Sequence, residues 1–367
     1  MSPSGCDTAP AMCGWWRLPR RRSWSSPSPR SVAMSFSACR CAASTTSPDA
    51  LSPLWRRAMP SVEWLDRWPG ISRDEPLSRH NQYGIGGPAD WFLAVREASQ
   101  LTELVPRCRD AGVPITMLGA GSNALVLDGG VRGLVVKLVD RRMREPAAGV
   151  LELSGGYMMP RAALDCARRG IGGMEFGIGV PGTCGASVLG NAGAFGREIK
   201  DVMLDCDTLA PDGSPRRIGA GECGFAYRDS RFKHELADHI VVAARFRVTH
   251  DDAAAVRART DAIQAERKAT QPYGVRSLGS VFKNPPGDHA GRLIEAAGLR
   301  GARHDGAEIS RKHANFILNL GGASAADVLR LVELAHRTVL ERFGVDLERE
   351  IVLLGDHAPA ATAARER

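Results

Sequence analysis

No apolar run in this chain approaches the length of a bilayer span, which excludes a helical membrane protein. Paired cysteines are also missing. Nine cysteines occur, but none forms a C-x-x-C pair, and no His/Cys group has zinc-ligand spacing. No metal is expected. Four cysteines lie before residue 42; Cys108, Cys166, Cys184, Cys206 and Cys223 are scattered through the remainder, as reduced packing thiols would be. Internal repeats are absent. The body of the chain also lacks an excess of either charge. The formal net charge is +7, but residues 1–58 carry eight arginines against Asp7 and Asp49. The rest has 40 basic and 39 acidic residues, so a nucleic-acid-binding reading loses its main support.

Residues 1–58 are rich in Ser, Pro, Arg, Trp and Cys and show no sustained period. Arg17 to Arg22 could open a signal peptide, but the Ser- and Pro-rich run that follows is no apolar core for one. The segment reads as a disordered or non-native extension, with Met59 as a plausible start. Residues 59–79 read as a lead-in and 358–367 as a disordered tail.

From residue 76 the composition changes to that of a folded α/β chain. Turn chemistry at 86–90 leads into a short strand at 91–95. Leu101, Leu104, Val105 and Cys108 follow helical spacing, and Gly112 stops that helix. Strands are expected at 114–118, 125–127, 134–136, 202–209 and 240–248, with a helix from Pro160 to Gly170. The run 170–196 is too rich in glycine to be a packed helix throughout. Residues 253–270 read as a charged helix that ends one domain. Beyond it, Ser324 and Asp327 form a capping box, Val328, Leu331, Val332 and Ala335 make an apolar stripe, and Gly344 ends the helix. Residues 347–354 read as a closing strand.

Two glycine patches stand out. Gly119, Ala120, Gly121, Ser122 and Asn123 follow a strand, but the chain continues into another strand instead of a helix. That argues against a Rossmann loop and for a loop whose amides form an anion-binding nest. The second patch holds Pro181, Gly182 and Thr183, then Asn191, Gly193, Ala194 and Gly196. Glycine there lets backbone approach a large flat ligand. Three further pieces can supply chemistry: Tyr227-Arg228, Gly279-Ser280, and the late Leu-Glu-Arg-Glu that ends at Glu350. They offer a fixed cation, a hydroxyl acid and a carboxylate.

In this order, over residues 80–355, the motifs resemble the UDP-N-acetylenolpyruvoylglucosamine reductase family. The resemblance implies an α/β (α+β) protein. Its FAD-binding domain is of the vanillyl-alcohol-oxidase type, over 80–250, with lobes at 80–140 and 141–250. A connecting helix and linker follow at 251–278, then a smaller substrate-binding domain at 279–357. It implies bound FAD, NADPH as co-substrate, and reduction of UDP-N-acetylglucosamine enolpyruvate to UDP-N-acetylmuramate for peptidoglycan, by a cytoplasmic monomer. Hydride would come from flavin N5 and the proton from Ser280, with Arg228 and Glu350 as the other catalytic groups. Tyr227, Lys268 and Asn284 match substrate-contacting positions, and the glycine-patch residues match cofactor-contacting ones. The short interval between Arg228 and Lys268 resembles the family type without an extra substrate-covering loop.

Four residues depart from the family pattern. Gln82 and Gly84 replace a threonine and a basic residue, and Cys184 and Ala186 replace valine and glycine. Two other readings compete: another FAD oxidoreductase of the same superfamily, or an inactive flavin- or nucleotide-sugar-binding protein. Neither needs Arg228, Ser280 and Glu350 together.

Overall fold

The computed structural model describes residues 62–357; the expectations for the extension and the tail lie outside them. Three sheets organise these residues. In the first, Pro88–Val95 lies between Ile71–Pro76, to which it is antiparallel, and Val131–Leu138, to which it is parallel; Ile115–Met117 completes the sheet. Trp91, Leu93, Val95, Leu134 and Val136 alternate inward, and the helix Gln100–Asp110 covers them with Leu101, Leu104 and Cys108. Of the segment expected as a lead-in, the described residues 62–79 belong to this lobe. Val62 and Leu65 are buried in its core and Ile71–Pro76 is its edge strand, so the lobe begins well before residue 80.

The second sheet is antiparallel, in the order Pro215–Gly219, Met203–Leu209, Ile240–Arg247, Val150–Ser154, Met143–Ala147. The helix Met159–Arg168 packs Met159, Ala162 and Cys166 into its core. The glycine-rich run resolves into a short 3₁₀ turn, Glu175–Gly179, and a helix of under two turns, Cys184–Leu189. The helix Ala253–Thr270 is attached to this lobe and is no free linker. Arg259 pairs with Glu175 at 3.0 Å, and Arg267 donates to the Ile178 carbonyl at 3.1 Å.

The third sheet, Arg276–Ser277, Ile317–Asn319, Ala307–Ile309, Arg303–His304, carries the long helix Ala325–Phe343. That helix has the expected Ser324/Asp327 capping box and ends at Gly344 in the left-handed region. This unit does not stand apart from the first lobe. Tyr83, Ile85, Leu125 and Leu127 share its core. Asp128 accepts hydrogen bonds from the Ala325 and Ala326 amides at 2.8 and 3.0 Å, satisfying the start of the long helix from outside. Only Val352–Leu354 of the expected closing strand is a sheet strand, parallel to Ala124–Val126. Residues 347–351 instead exchange hydrogen bonds with residues 281–283.

Candidate active site

Arg228 sits in a two-residue turn. Ala226 and Asp229 exchange both backbone hydrogen bonds across it, and Arg228 adopts φ 56°. Such turns usually give that conformation to glycine. A long cationic side chain held there is the kind of local strain that accompanies function. The turn is pinned from two sides. The Asn191 side-chain amide donates to the Ala226 carbonyl at 2.8 Å, and Lys233 Nζ donates to the Arg228 carbonyl at 2.5 Å.

The guanidinium joins two distant parts of the chain. Nη2 donates to the Gly193 carbonyl at 3.2 Å, in the second glycine patch. Nε lies 2.7 Å from Glu350 Oε1. That N–H is not aimed as a hydrogen bond, so the contact is mainly Coulombic. Burial pushes the Glu350 carboxyl up from its ordinary pKa, while Arg228, Lys233 and Lys283 pull it back down.

Sequence alternation puts Glu348 and Glu350 on one strand face, yet they part company. The Glu348 side chain is 70% exposed and its Oε1 accepts from Lys283 at 2.6 Å, whereas Glu350 is 16% exposed and faces Arg228. Regular pairing fails here: the Val281 carbonyl accepts from both the Glu350 and Ile351 amides, at 2.8 and 3.4 Å. The same pairing brings Ser280, the residue before Val281, beside the Glu350 segment. Ser280 is half-buried, and its hydroxyl makes no hydrogen bond to another described residue.

The two glycine patches meet. A Cβ on Gly119 would stand 2.8 Å from Thr183 Oγ1 and 3.2 Å from the Ala186 methyl. Asn123 reaches further, donating from Nδ2 to the Glu350 carbonyl at 3.0 Å. Ala120 is buried and Ser122 half-buried. Asn191 is fully buried; its side chain is engaged by Ala226, Glu198 and the Lys200 amide, so its place is inside the patch. Gly193 and Ala194 pair with Arg197 and Glu198 in a small hairpin turned at Gly196.

Other expected residues lie outside the Arg228–Glu350 contact. Tyr227 is exposed and lies against the Arg228 guanidinium, 5.3 Å from ring centroid to Cζ. Exposed Lys268 has its ammonium 5.1 Å from the Tyr273 ring centroid. Asn284 is also exposed, and its Oδ1 accepts from the Ala290 amide at the start of a helix.

Two cations escaped the sequence reading. Arg267 and Arg276 line a cavity of ≈ 310 Å³ with Gln82, Pro181, Tyr273 and Gly279. Burial lowers the Arg267 pKa. Arg267 adjoins Lys268 at the helix end, so a pair of neighbouring cations was the available signal; Arg276 had none. Of the departures from the family pattern, Gln82 Nε2 donates to the Pro181 carbonyl at 3.1 Å. Cys184 is a wholly buried packing thiol, its pKa pushed by burial to about 12.

Known proteins bear on this arrangement. Residues 271–354 match the family described as UDP-N-acetylenolpyruvoylglucosamine reductase, C-terminal domain, and residues 89–219 match the FAD binding domain family. A protein named UDP-N-acetylenolpyruvoylglucosamine reductase 2, from Symbiobacterium thermophilum, is 44% identical over 84% of this chain and 99% of its own length. The chain belongs to the UDP-N-acetylenolpyruvoylglucosamine reductase family. A relative from Rubrobacter xylanophilus is 42% identical over 79% of this chain and 97% of its own. The crystal structure of the Thermus caldophilus reductase superposes with a TM-score of 0.66 at 34% identity, covering 77% of this chain and 98% of that one.

The family assignment makes the first two lobes an FAD-binding domain followed by a smaller α/β domain, as the resemblance implied, and the protein an FAD oxidoreductase. The residues present fit that cofactor. A Cβ on Gly182 would meet only Ser187 Oγ at 3.5 Å and Ser122 Oγ at 3.6 Å, ordinary contacts. Gly182 itself is buried, and without a side chain the loop stays slim where the two glycine patches meet. No helix among the described residues is long and apolar enough to cross a membrane.

Proposed function

We propose that this protein reduces UDP-N-acetylglucosamine enolpyruvate to UDP-N-acetylmuramate, using NADPH and bound FAD, as a monomer in the cytoplasm, in the synthesis of peptidoglycan precursors. The observation that carries the reading is the contact of Arg228 with Glu350, on a segment paired with the residue after Ser280. FAD, when bound, supplies the two-electron carrier between NADPH and the enolpyruvyl double bond.

The chain's own residues then have three tasks. Negative charge develops beside the substrate carboxylate as the double bond is reduced. Arg228, fixed by its turn and its Gly193 contact, offsets that charge. Glu350 holds the guanidinium in place. Ser280 delivers the proton to the carbon next to the carboxylate. A serine hydroxyl is a weak acid, so its alkoxide needs nearby positive charge; Lys233 and Lys283 add to the positive field around Glu350, on the segment beside Ser280. Lys268, Tyr227 and Asn284 receive the nucleotide-sugar diphosphate and sugar, and the glycine patches receive FAD.

Anaerobic stopped-flow absorbance separates the two half-reactions. NADPH should bleach the flavin of the wild-type protein, and the enolpyruvyl nucleotide sugar should restore it. Ser280→Ala should be reduced by NADPH at nearly the wild-type rate, yet reoxidise more slowly by several powers of ten. A positioned acid is worth roughly 10²–10⁴-fold, and loss of charge stabilisation adds to it. Ser280→Cys should keep part of the rate. Wild-type reoxidation in Ser280→Ala would place the proton donor elsewhere.

A further inference from the structure

Gly84 and Arg276 occupy one space. A Cβ on Gly84 would fall 2.1 Å from Arg276 Nη1 and 2.9 Å from its Cζ. The guanidinium therefore lies across the bare backbone of residue 84. Gly84 is held there at φ 68°, with its amide donating to Asn81 Oδ1 at 2.8 Å. The neighbouring Tyr83 carbonyl accepts from Asn319 Nδ2 at 2.9 Å, and Arg276 itself sits on the strand that pairs with Asn319. Both partners of the contact are thus fixed by the same sheet.

Arg276 makes no ion pair with any described residue, and neither does Arg267 across the cavity. No carboxylate lines that cavity. Its wall runs from Pro181, in the second glycine patch, to Gly279, the residue before Ser280. Lys268 stands outside on the Tyr273 ring, and Lys312 Nζ donates to the Lys268 carbonyl, adding cations on the same side. Arg267 donates to Gln271 Oε1 at 3.3 Å and to the Ile178 carbonyl at 3.1 Å, which leaves its charge unneutralised. Two guanidinium groups lining one wall without a carboxylate suit an anion, and a planar fork fits a phosphoryl group best.

We propose that Arg276, laid through the gap that Gly84 leaves, binds a phosphoryl group in this cavity together with Arg267. It is a ligand-positioning residue outside the motifs that carry the family resemblance. The inference rests on the functional reading only for the source of the phosphoryl group: the diphosphate of FAD, the diphosphate of the nucleotide sugar, or the phosphates of NADPH.

Calorimetric titrations of the full chain with UDP and with NADPH, and FAD titration of the flavin-stripped protein, test it. Arg276→Gln should weaken at least one of the three by roughly ten- to hundredfold, the scale of one charge-assisted contact. Its thermal melting should stay at the wild-type value, because the side chain is exposed and pairs with nothing. Arg276→Lys should fall between. Gly84→Ala keeps the charge but displaces the guanidinium, so it should weaken the same ligand as Arg276→Gln. The ligand affected names the source. Unchanged affinity for all three in Arg276→Gln overturns the proposal. If the wild type binds these ligands but does not reduce the enolpyruvyl sugar, the functional reading falls while the anion site stands.

Discussion

The loops 119–123 and 180–183 look alike in sequence, each a short glycine-bearing turn, but their glycines answer to different demands. In the first loop the protein itself needs them. Gly121 has φ 61°, and a Cβ there would come within 2.2 Å of the Asn81 Cβ and 2.8 Å of its Cα. Gly119 is pressed against Thr183 and Ala186 of the facing lobe. In the second loop Gly182 has neither a left-handed backbone nor a close neighbour. The first glycine patch is therefore a joint by its own packing, while Gly182 in the second is buried without any neighbour tighter than ordinary contact.

Replacing a glycine in each loop gives the sharpest contrast. Gly121→Val should have the larger effect. It forces a branched residue into the left-handed region, at ~1–2 kcal/mol, and drives it into Asn81, at ~1–3 kcal/mol more. Asn81 holds a turn by accepting from the Gly84 amide and donating to the Leu77 and Ile85 carbonyls, so the damage spreads to the segment under Arg276. Both the melting temperature and the flavin content should drop. A Gly121→Val protein with wild-type melting would show that this loop is no joint.

Gly182→Val is the counterpart. The flavin-stripped variant should lose less melting temperature than Gly121→Val, because Gly182 is buried but has no left-handed backbone and no tight neighbour, while the purified protein comes out colourless. A variant that retains stoichiometric FAD removes Gly182 from the cofactor surface. One that is colourless but also unfolded makes the two loops alike after all.

The sequence showed local features well and shared ones badly. The helix Ala253–Thr270, the Ser324/Asp327 box and the Gly344 stop were readable because each is decided within a few residues. The hairpin of Met143–Ala147 and Val150–Ser154 escaped notice. Its outer strand is an edge with exposed charges, a proline and a register shift, which erases the alternation that marks a strand. Residues 347–351 looked like strand but serve as a seam against residues 281–283, and so the orientation of Glu350 relative to Glu348 depends on a partner far away in sequence. Arg228, Ser280 and Glu350 were picked out by family motif. The Gly84–Arg276 exchange follows no such motif and is visible only in three dimensions.

Asn123 offers the smallest and most discriminating test of the joint. Its carbonyl accepts from the Val352 amide at 2.9 Å and its side-chain amide donates to the Glu350 carbonyl at 3.0 Å, so the first glycine loop is tied directly to the segment that carries the carboxylate. Asn123→Ala removes the side-chain tie and leaves the backbone one. A single such hydrogen bond contributes ~0.5–1.5 kcal/mol, or roughly two- to tenfold in a rate that depends on it. Because the tie ends on Glu350, the loss should appear in reoxidation of the flavin by the enolpyruvyl sugar. Reduction by NADPH should stay near the wild-type rate. Stopped-flow traces of both half-reactions, with flavin content measured on the same preparation, read this out. Loss of FAD with normal reoxidation would instead assign the Asn123 side chain to the cofactor surface, and the first loop would then be joint and surface at once.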